Sequence, residues 1–374
     1  MSGFSVARFL AVLRKEWIQI RRDPFTLRMI IVLPVMQLFL FGYAINADPR
    51  HLPAGLLSVN HSRYERTLIA ALENTGYYDV RPLATEAAAE RALAQGKVLF
   101  VINVPPDFDR SVDRGEKPSI LMDADATDPT TIARATGALA AIGVALNRDL
   151  PPALQAVPQA PPFQFALHAR YNPEGLTVLN TMPGLLCMVL TFSTLFITVM
   201  SISKERERGT MENLLSMPVR PIEVMLAKLV PYVGIGYLQA TLVITIAAVV
   251  FGLPLRGSVA LLAVALGLFM ASNLALGLTF STVARNQMQA LQMAQFALLP
   301  SFMLSGFMFP FLGMPRWAQW LGELFPVTHA LRIVRGVLLK GNGLADILPE
   351  LWPIAAFTAA AVTISVWSYR ETLD

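Results

Sequence analysis

Six stretches of this chain run for about twenty residues or more without a charged side chain: 29–47, 175–203, 229–255, 257–284, 286–315 and 351–369. A helix needs about 20 apolar residues to cross the ~30 Å hydrocarbon layer of a bilayer. Lipid offers the backbone no hydrogen-bond partner, so a spanning segment is a helix or a strand of a closed barrel. Barrel strands alternate polar and apolar positions over about 10 residues, and these stretches do not alternate. The pattern predicts an α-helical polytopic membrane protein with six transmembrane helices, at 29–47, 175–203, 229–255, 257–284, 286–311 and 351–369. Pro231 can kink the start of the third. Pro300, Gly306, Pro310 and Gly313 predict that the fifth bends or re-enters near the outer face.

Residues 48–174 break the pattern. Fifteen acidic and twelve basic residues give this stretch a net charge of −3. Short apolar or β-branched runs at 55–59, 77–80, 98–104 and 119–122 alternate with helical spacing at 64–72, 86–94 and 131–146. Such alternation predicts an inserted α/β or α+β domain of ordinary size. The Pro-rich stretch at 151–163 reads as an extended connector.

Composition agrees with the membrane reading. Of the 374 residues, 54% are hydrophobic and 15% charged, against about 25% charged in soluble domains. The mean hydropathy is +0.51. The single cysteine, Cys187, excludes an intrachain disulfide and reads as a packing residue in the second span.

Charge then orients the chain. Arg8, Arg14, Lys15, Arg21, Arg22 and Arg28 precede the first span, against Glu16 and Asp23. Lysine and arginine collect in short cytoplasmic segments, so the N terminus is expected inside. Six spans return the 370–374 tail to that side, place 48–174 outside the cytoplasm and 204–228 within it. Residues 312–350 run against the rule, with Arg316, Arg332, Arg335 and Lys340 on the outer side. Trp317, Trp320, Leu321, Leu324 and Phe325 recur there at helical spacing. That predicts a re-entrant or amphipathic segment whose helix lies in the outer interface, with tryptophan at headgroup level and arginine stems snorkelling. In 1–28, Val6, Phe9, Leu10, Leu13, Trp17 and Ile20 form a similar stripe, which predicts a helix on the cytoplasmic surface. The net charge of +4 follows from topology and calls for no nucleic acid.

Candidate catalytic chemistry is sparse. Asp123, Asp125 and Asp128 are the best metal candidates, but they lack the glycine and distal glutamate of an EF-hand loop. A strand end followed by a helix cap explains them more simply. His51, His61 and His168 are scattered without ligand spacing. There is no Gly-x-Ser-x-Gly elbow and no G-x-x-x-x-G-K-[ST] phosphate loop. The inserted domain reads as a binding or docking module, and the chain as a non-enzyme with no cofactor of its own.

Between the second and third spans lies a dense polar island, 204–228, with five basic and four acidic residues. Lys204 to Arg208 extend the second span into water, and Gly209-Thr210 break that helix. Thr210 can cap a short helix with Glu212 in its first turn, where an acid favours the helix dipole. Pro218 ends it and Pro221 suits the first position of the next. A short helix pinned at both ends on the cytoplasmic face suits docking; a solvated turn obeying the charge rule is the plainer alternative.

The stretch KERERGTMENLLSMPVRPIEVMLAKLVPY resembles the hallmark segment of ABC-2 type transporter permeases. The N-terminal stripe ending RRDP, the domain between the first two spans, SGFMFPFLGMP at 305–315 and FPVTHALRIVRGVLLKG at 325–341 fit the same family, in that order. The resemblance covers essentially the whole chain and is nearest to six-span drug-efflux permeases with a large first external domain. It implies coupling to a separate cytoplasmic ABC ATPase subunit, which would hold ATP and Mg, through Glu205, Glu207, Gly209, Thr210 and Glu212. It also implies a second permease, identical or paralogous, in a bacterial inner membrane. A periplasmic adaptor and an outer-membrane duct would fit.

The polar residues within the spans are uncharged. Thr191 and Thr194 in the second span, Asn273 in the fourth, and Gln289, Gln292 and Gln295 in the fifth are candidates for a substrate path. Such residues also glue helices together, at about 0.6 kcal/mol each. Uncharged walls would suit hydrophobic or amphipathic cargo moving outward. Export of a lipid or glycan, or a receptor whose external domain binds a ligand, are the alternatives.

Overall fold

In the computed structural model the chain is described at residues 50–58, 62–127, 129–137, 139, 142, 163–174, 176–207, 221–284 and 286–371. The expected surface helix at 1–28 and first span at 29–47 lie outside these residues. So do the loop 208–220 and nearly all of the Pro-rich connector.

The region after residue 50 forms β1 (Leu52–Leu57), α1 (Arg63–Asn74), β2 (Tyr78–Pro82), α2 (Glu86–Ala94), β3 (Phe100–Asn103), α3 (Phe108–Asp113), β4 (Ser119–Asp125), α4 (Pro129–Gly137) and β5 (Gln164–Arg170). The strand order is β2-β1-β3-β4-β5. β1 is parallel to both β2 and β3, β4 is antiparallel to β3, and β5 is parallel to β4. Neither α3 nor β5 was expected from the pattern: α3 is six residues long, too short to show a period, and β5 has no clean alternation.

Side chains alternate across a strand. Phe100 and Ile102 of β3 and Ile120 and Met122 of β4 face a core completed by Leu68 and Leu72 of α1, Phe108 of α3 and Ile132 of α4. Val101 points the other way, to Ala89 and Leu93 of α2. Asp123 and Asp125 share that second face by the same parity. α1 and α2 start where their capping residues dictate: Ser62 accepts from the Glu65 N–H, and Thr85 from the Ala88 N–H.

The rest is helical: α5 (Thr177–Glu207), α6 (Pro221–Phe251), α7 (Val259–Val283), α8 (Gln287–Leu304), α9 (Arg316–Gly322), α10 (Pro326–Arg335) and α11 (Leu344–Glu371). Among the described residues, four stretches are long and apolar enough to cross a membrane: Val178–Met200, Pro231–Phe251, Val259–Val283 and Leu344–Ser365. They coincide with the second, third, fourth and sixth expected spans. The fifth differs. α8 has 18 residues, about 27 Å at ~1.5 Å per residue, and four glutamines dilute its apolar character. It ends at Ser305-Gly306, where Gly306 takes φ +83°, a conformation open to glycine.

The segment after α8 also departs from the expected interfacial helix. Only the seven residues of α9 are helical before Pro326 opens α10 at its first turn. Proline cannot continue the preceding helix, so the amphipathic stripe is cut. Trp317, Trp320, Leu321 and Leu324 are exposed, whereas Phe325 packs on the helical core. α10 is almost wholly buried against α5, α7, α8 and α11. Its arginines do not snorkel; they are held inside the fold. A single π turn, Gly336–Lys340, follows.

The turn between α6 and α7 packs on that π turn. The Arg256 N–H donates to the Leu338 carbonyl at 3.1 Å. A Cβ built on Gly257 would lie 2.4 Å from the Val337 carbonyl oxygen. Backbone cannot yield there as a side chain tip would. Gly257→Ala is therefore expected to destabilise the chain by about 1–3 kcal/mol, read as a lower melting temperature in detergent. Gly234→Ala, with nothing within 4 Å, should be neutral or stabilising. An unchanged melting temperature for Gly257→Ala would rule this packing out.

Candidate functional site

The sequence of α10, PVTHALRIVR, places His329 and Arg332, and then Arg332 and Arg335, three residues apart on one helical face. Val327, Leu331, Ile333 and Val334 anchor the helix in the core. The polar face meets acids from two other elements. Arg332 Nη2 donates to Glu323 Oε1 at 2.6 Å, and its Nη1 donates to Glu350 Oε2 at 3.3 Å. His329 Nδ1 lies 2.6 Å from Glu350 Oε2, and Nε2 lies 2.9 Å from the Glu323 carbonyl oxygen. The Arg332 guanidinium also stacks over Phe311, 4.4 Å from its centroid. Arg335 donates to Asn180 Oδ1 of α5 at 2.7 Å and to the Gly306 carbonyl at 3.3 Å. One face of α10 thus ties together α5, the end of α8, the end of α9 and α11.

The π turn ties the helices to the sheet. Lys340 Nζ donates to Asp125 Oδ2 at 2.5 Å and to the Leu93 carbonyl at 3.3 Å. Asn342 donates to the Ala94 carbonyl at 3.1 Å, and Gln95 donates to Asp346 at 3.2 Å. The Lys340 and Asp125 side chains are 8% and 3% exposed, so this is a buried ion pair. Tyr171 lies under the ammonium, 5.4 Å from ring centroid to Nζ. Burial and then the Asp125 charge push the Tyr171 phenol above its usual pKa, keeping it neutral.

Between sheet and helices these contacts leave a cleft of about 410 Å³. Leu99, Ile132, Phe311 and Ile347 form apolar wall; Lys97, Asp346, Arg332 and Glu350 add charges of both signs. Its size falls within the ~300–1,000 Å³ of small-molecule sites.

The aspartates considered as metal ligands have other partners. Asp123 takes His168 Nδ1 at 2.7 Å and Arg170 Nε at 3.1 Å. For Arg170, burial works against the charge, but the hydrogen bond and charge of Asp123 outweigh it, and its pKa is raised. Asp125 is held by Lys340 and by Thr127, and Asp128 lies outside the described residues. Among the described residues no group of three His, Cys, Asp or Glu could hold a metal.

Thr191 and Thr194 are buried in α5 and donate to the Cys187 and Leu190 carbonyls of their own helix. Asn273 is buried in α7 and donates to the Phe269 carbonyl at 3.2 Å. Thr194 and Thr198 belong to the seam where α5 meets α6 and α7: Gly236 and Met270 lie by Thr194, and Gly277 lies by Thr198. Gln289 and Gln292 of α8 are half-buried and Gln295 is exposed. Glu205 and Glu207 fall in the last turn of α5, though their side chains, like all of Gly209, Thr210 and Glu212, lie outside the described residues. The Glu323–His329–Arg332–Glu350 cluster was not foreseen. Its one signal is a histidine and arginine three apart in an apolar stretch, flanked by two glutamates.

The profile of the ABC-2 family transporter proteins matches residues 24–367. The "Probable multidrug ABC transporter permease YbhS" of Escherichia coli K12 is 30% identical over 341 residues, covering 90% of this chain and 89% of that protein. The "Probable multidrug ABC transporter permease YbhR" of the same strain is 25% identical over 366 residues, covering 97% and 98%. The "ABC transporter G family member 20" of Dictyostelium discoideum is 23% identical over 354 residues, covering 92% of this chain and 47% of that protein.

Proposed function

The chain belongs to the ABC-2 family of transporter proteins, and from that premise we propose that it is the permease subunit of an exporter. The cargo is hydrophobic or amphipathic, moves outward, and is driven by ATP hydrolysed in a separate cytoplasmic ATPase subunit. The observation that carries this reading is near full-length similarity to permeases named for multidrug ABC transport. ATP and Mg belong to the partner, and this chain holds no cofactor.

In this reading the chain has six spans in a bacterial inner membrane, with both termini cytoplasmic. The first span is 29–47. The fifth is α8, continued by α9 and the buried α10 rather than by a longer helix. The sheet domain lies outside the cytoplasm, open to a periplasmic adaptor and outer-membrane duct. Arg332, Arg335 and Lys340 looked misplaced for this orientation, but each has a partner within the fold. They are structural cations rather than topology marks. α5 stays helical to Glu207, a rigid arm toward Gly209, Thr210 and Glu212. Together with Glu205 and Glu207 these form the ATPase-coupling site.

The cargo path runs along the glutamine face of α8. Thr191, Thr194 and Asn273 bond to their own helices and serve the scaffold. Gln292→Leu with Gln295→Leu is expected to change the cargo range in reconstituted vesicles at least severalfold, with ATPase binding intact. Unaltered transport across a panel of amphiphiles would remove the path from this face.

The exporter reading is tested by mild-detergent purification of the tagged chain from its native host, with quantitative mass spectrometry. The expected result is a near-stoichiometric soluble ATPase and a second permease, this chain or a paralogue. If the membrane complex survives but no ATPase accompanies it, the energy source is missing and the receptor reading takes over. Transport in vesicles then separates drug-like cargo from lipid or glycan.

A further inference from the structure

We propose that the His329–Glu350 pair holds one exchangeable proton, and that this proton strengthens the tie between α10 and α11 beside the cleft. His329 Nε2 faces the Glu323 carbonyl oxygen at 2.9 Å. A carbonyl only accepts, so Nε2 carries a hydrogen. Nδ1 faces Glu350 Oε2 at 2.6 Å. Two lone pairs do not meet at that distance, so a second hydrogen lies between them, on the ring or on the carboxyl. Either way the pair carries one proton more than a neutral imidazole and a carboxylate.

Charge balance leads to the same count. Glu323 and Glu350 share Arg332 and His329, which leaves the cluster one negative charge in excess while the ring is neutral. The proton neutralises it; Glu350 is 23% exposed and Glu323 40%, so the relief falls mainly at Glu350. Lys97 lines the same cleft from the sheet side, with its side chain exposed to solvent. α7 and α8 contain no charged residue, and α5 has none before Lys204. Arg335 on α10 bonds to Asn180 and Gly306, and Lys340 to Asp125. Asp346, one turn before Glu350, accepts from Gln95 and from the Gly343 N–H. Arg316 is the first residue of α9, and Glu323 is its C-cap.

The site is closed on one side and open on the other. The His329 side chain is 6% exposed, whereas Glu323, Arg332 and Glu350 line the cleft. A proton can therefore exchange with the compartment that the cleft faces. Its loss turns the Nδ1 lone pair against the Glu350 carboxylate and weakens the tie between α10 and α11, leaving Arg332 to bridge Glu350 to α10. The cluster thereby reads the pH of that compartment.

The test uses the purified full chain in detergent, labelled with ¹⁵N at its four histidines, with His329→Gln to assign the signal. No ATPase or cargo is needed, so the outcome is independent of the exporter reading. At about pH 7.5, above the ~6.5 of a free imidazole, two outcomes support the proposal. Both His329 ring nitrogens are protonated, or an infrared band of a neutral carboxyl is present and vanishes in Glu350→Gln. A neutral ring with no such band overturns it. Stability supplies the second readout. The folded chain keeps a proton that the unfolded chain has lost, so the folding constant falls as pH rises, by up to about tenfold per pH unit. The fall begins above ~6.5 and stops once the folded pair has also lost its proton. Glu350→Gln retains an acceptor for Nδ1–H without a charge, and should flatten that slope even if His329→Gln does not fold. A wild-type slope in Glu350→Gln overturns the proposal.

Discussion

Lys340→Met is expected to destabilise the chain by about 3 kcal/mol, the lower part of the ~3–5 kcal/mol that follows removal of one partner from a buried ion pair. The methionine fills much of the same volume but leaves Asp125, 3% exposed, without its cation. The lower figure applies because Thr127 still donates twice to the other carboxylate oxygen, at 2.9 and 3.2 Å. The contact to the Leu93 carbonyl is lost as well. The decisive comparison is the double variant Lys340→Met with Asp125→Asn. Removing both charges leaves no buried ion, so most of the lost stability should return. Thermal unfolding in detergent reads both. If the double variant is as unstable as the single, the loss came from packing and not from the stranded charge. The same pair joins sheet to helices, so the single variant should also speed proteolysis of the sheet region relative to the helical one.

Glu212→Arg is expected to abolish both export and recovery of the ATPase, with the chain itself still folded and inserted. If Glu212 meets a cation on the ATPase, reversing its sign replaces attraction by repulsion. Truncating one partner of such a pair costs about 2–5 kcal/mol, so association should weaken by at least about thirtyfold. Glu212→Gln removes the charge without repulsion and should fall between. In the expected short helix Glu212 lies in the first turn after Thr210, so part of the loss could arise from the helix itself. Thr210→Ser, which keeps a capping hydroxyl, should retain coupling. Normal expression, full export and a stoichiometric ATPase in Glu212→Arg would remove this residue from the coupling site.

How much of the molecule was legible in its sequence differs by element. Residues 178–200 and 259–283 were legible as membrane helices because transfer into an apolar phase is nearly additive over a local window. α1 and α2 were legible from their spacing, whereas the caps Ser62 and Thr85 came from the structure. α8 was overextended because an absence of charge was taken as spanning, although four glutamines and Ser305-Gly306 shorten it. α9 and α10 were merged into one interfacial stripe, since the pattern of tryptophan and leucine does not show that Pro326 turns the chain inward. β5 was missed because an edge strand with exposed Ala166, Leu167 and His168 has no buried face to impose a period.

The candidate sites divide in the same way. The expected coupling stretch at 204–212 was read from its local order of residues and from resemblance. The His329 cluster and the Lys340 clamp could not be found so. Asp125 and Lys340 are 215 positions apart, and Arg335 and Asn180 are 155 apart; nothing local to any of them names its partner. The sequence by itself determined that this is a helical membrane protein of the ABC-2 kind, with a charged region at 48–174, because hydropathy, charge and short motifs act over neighbouring residues. Only the tertiary structure decided that α10 is buried, that its arginines have partners within the fold, and that a histidine lies between a carboxylate and a carbonyl. Those facts depend on distances between elements far apart in the chain, and the packing of the whole chain sets those distances.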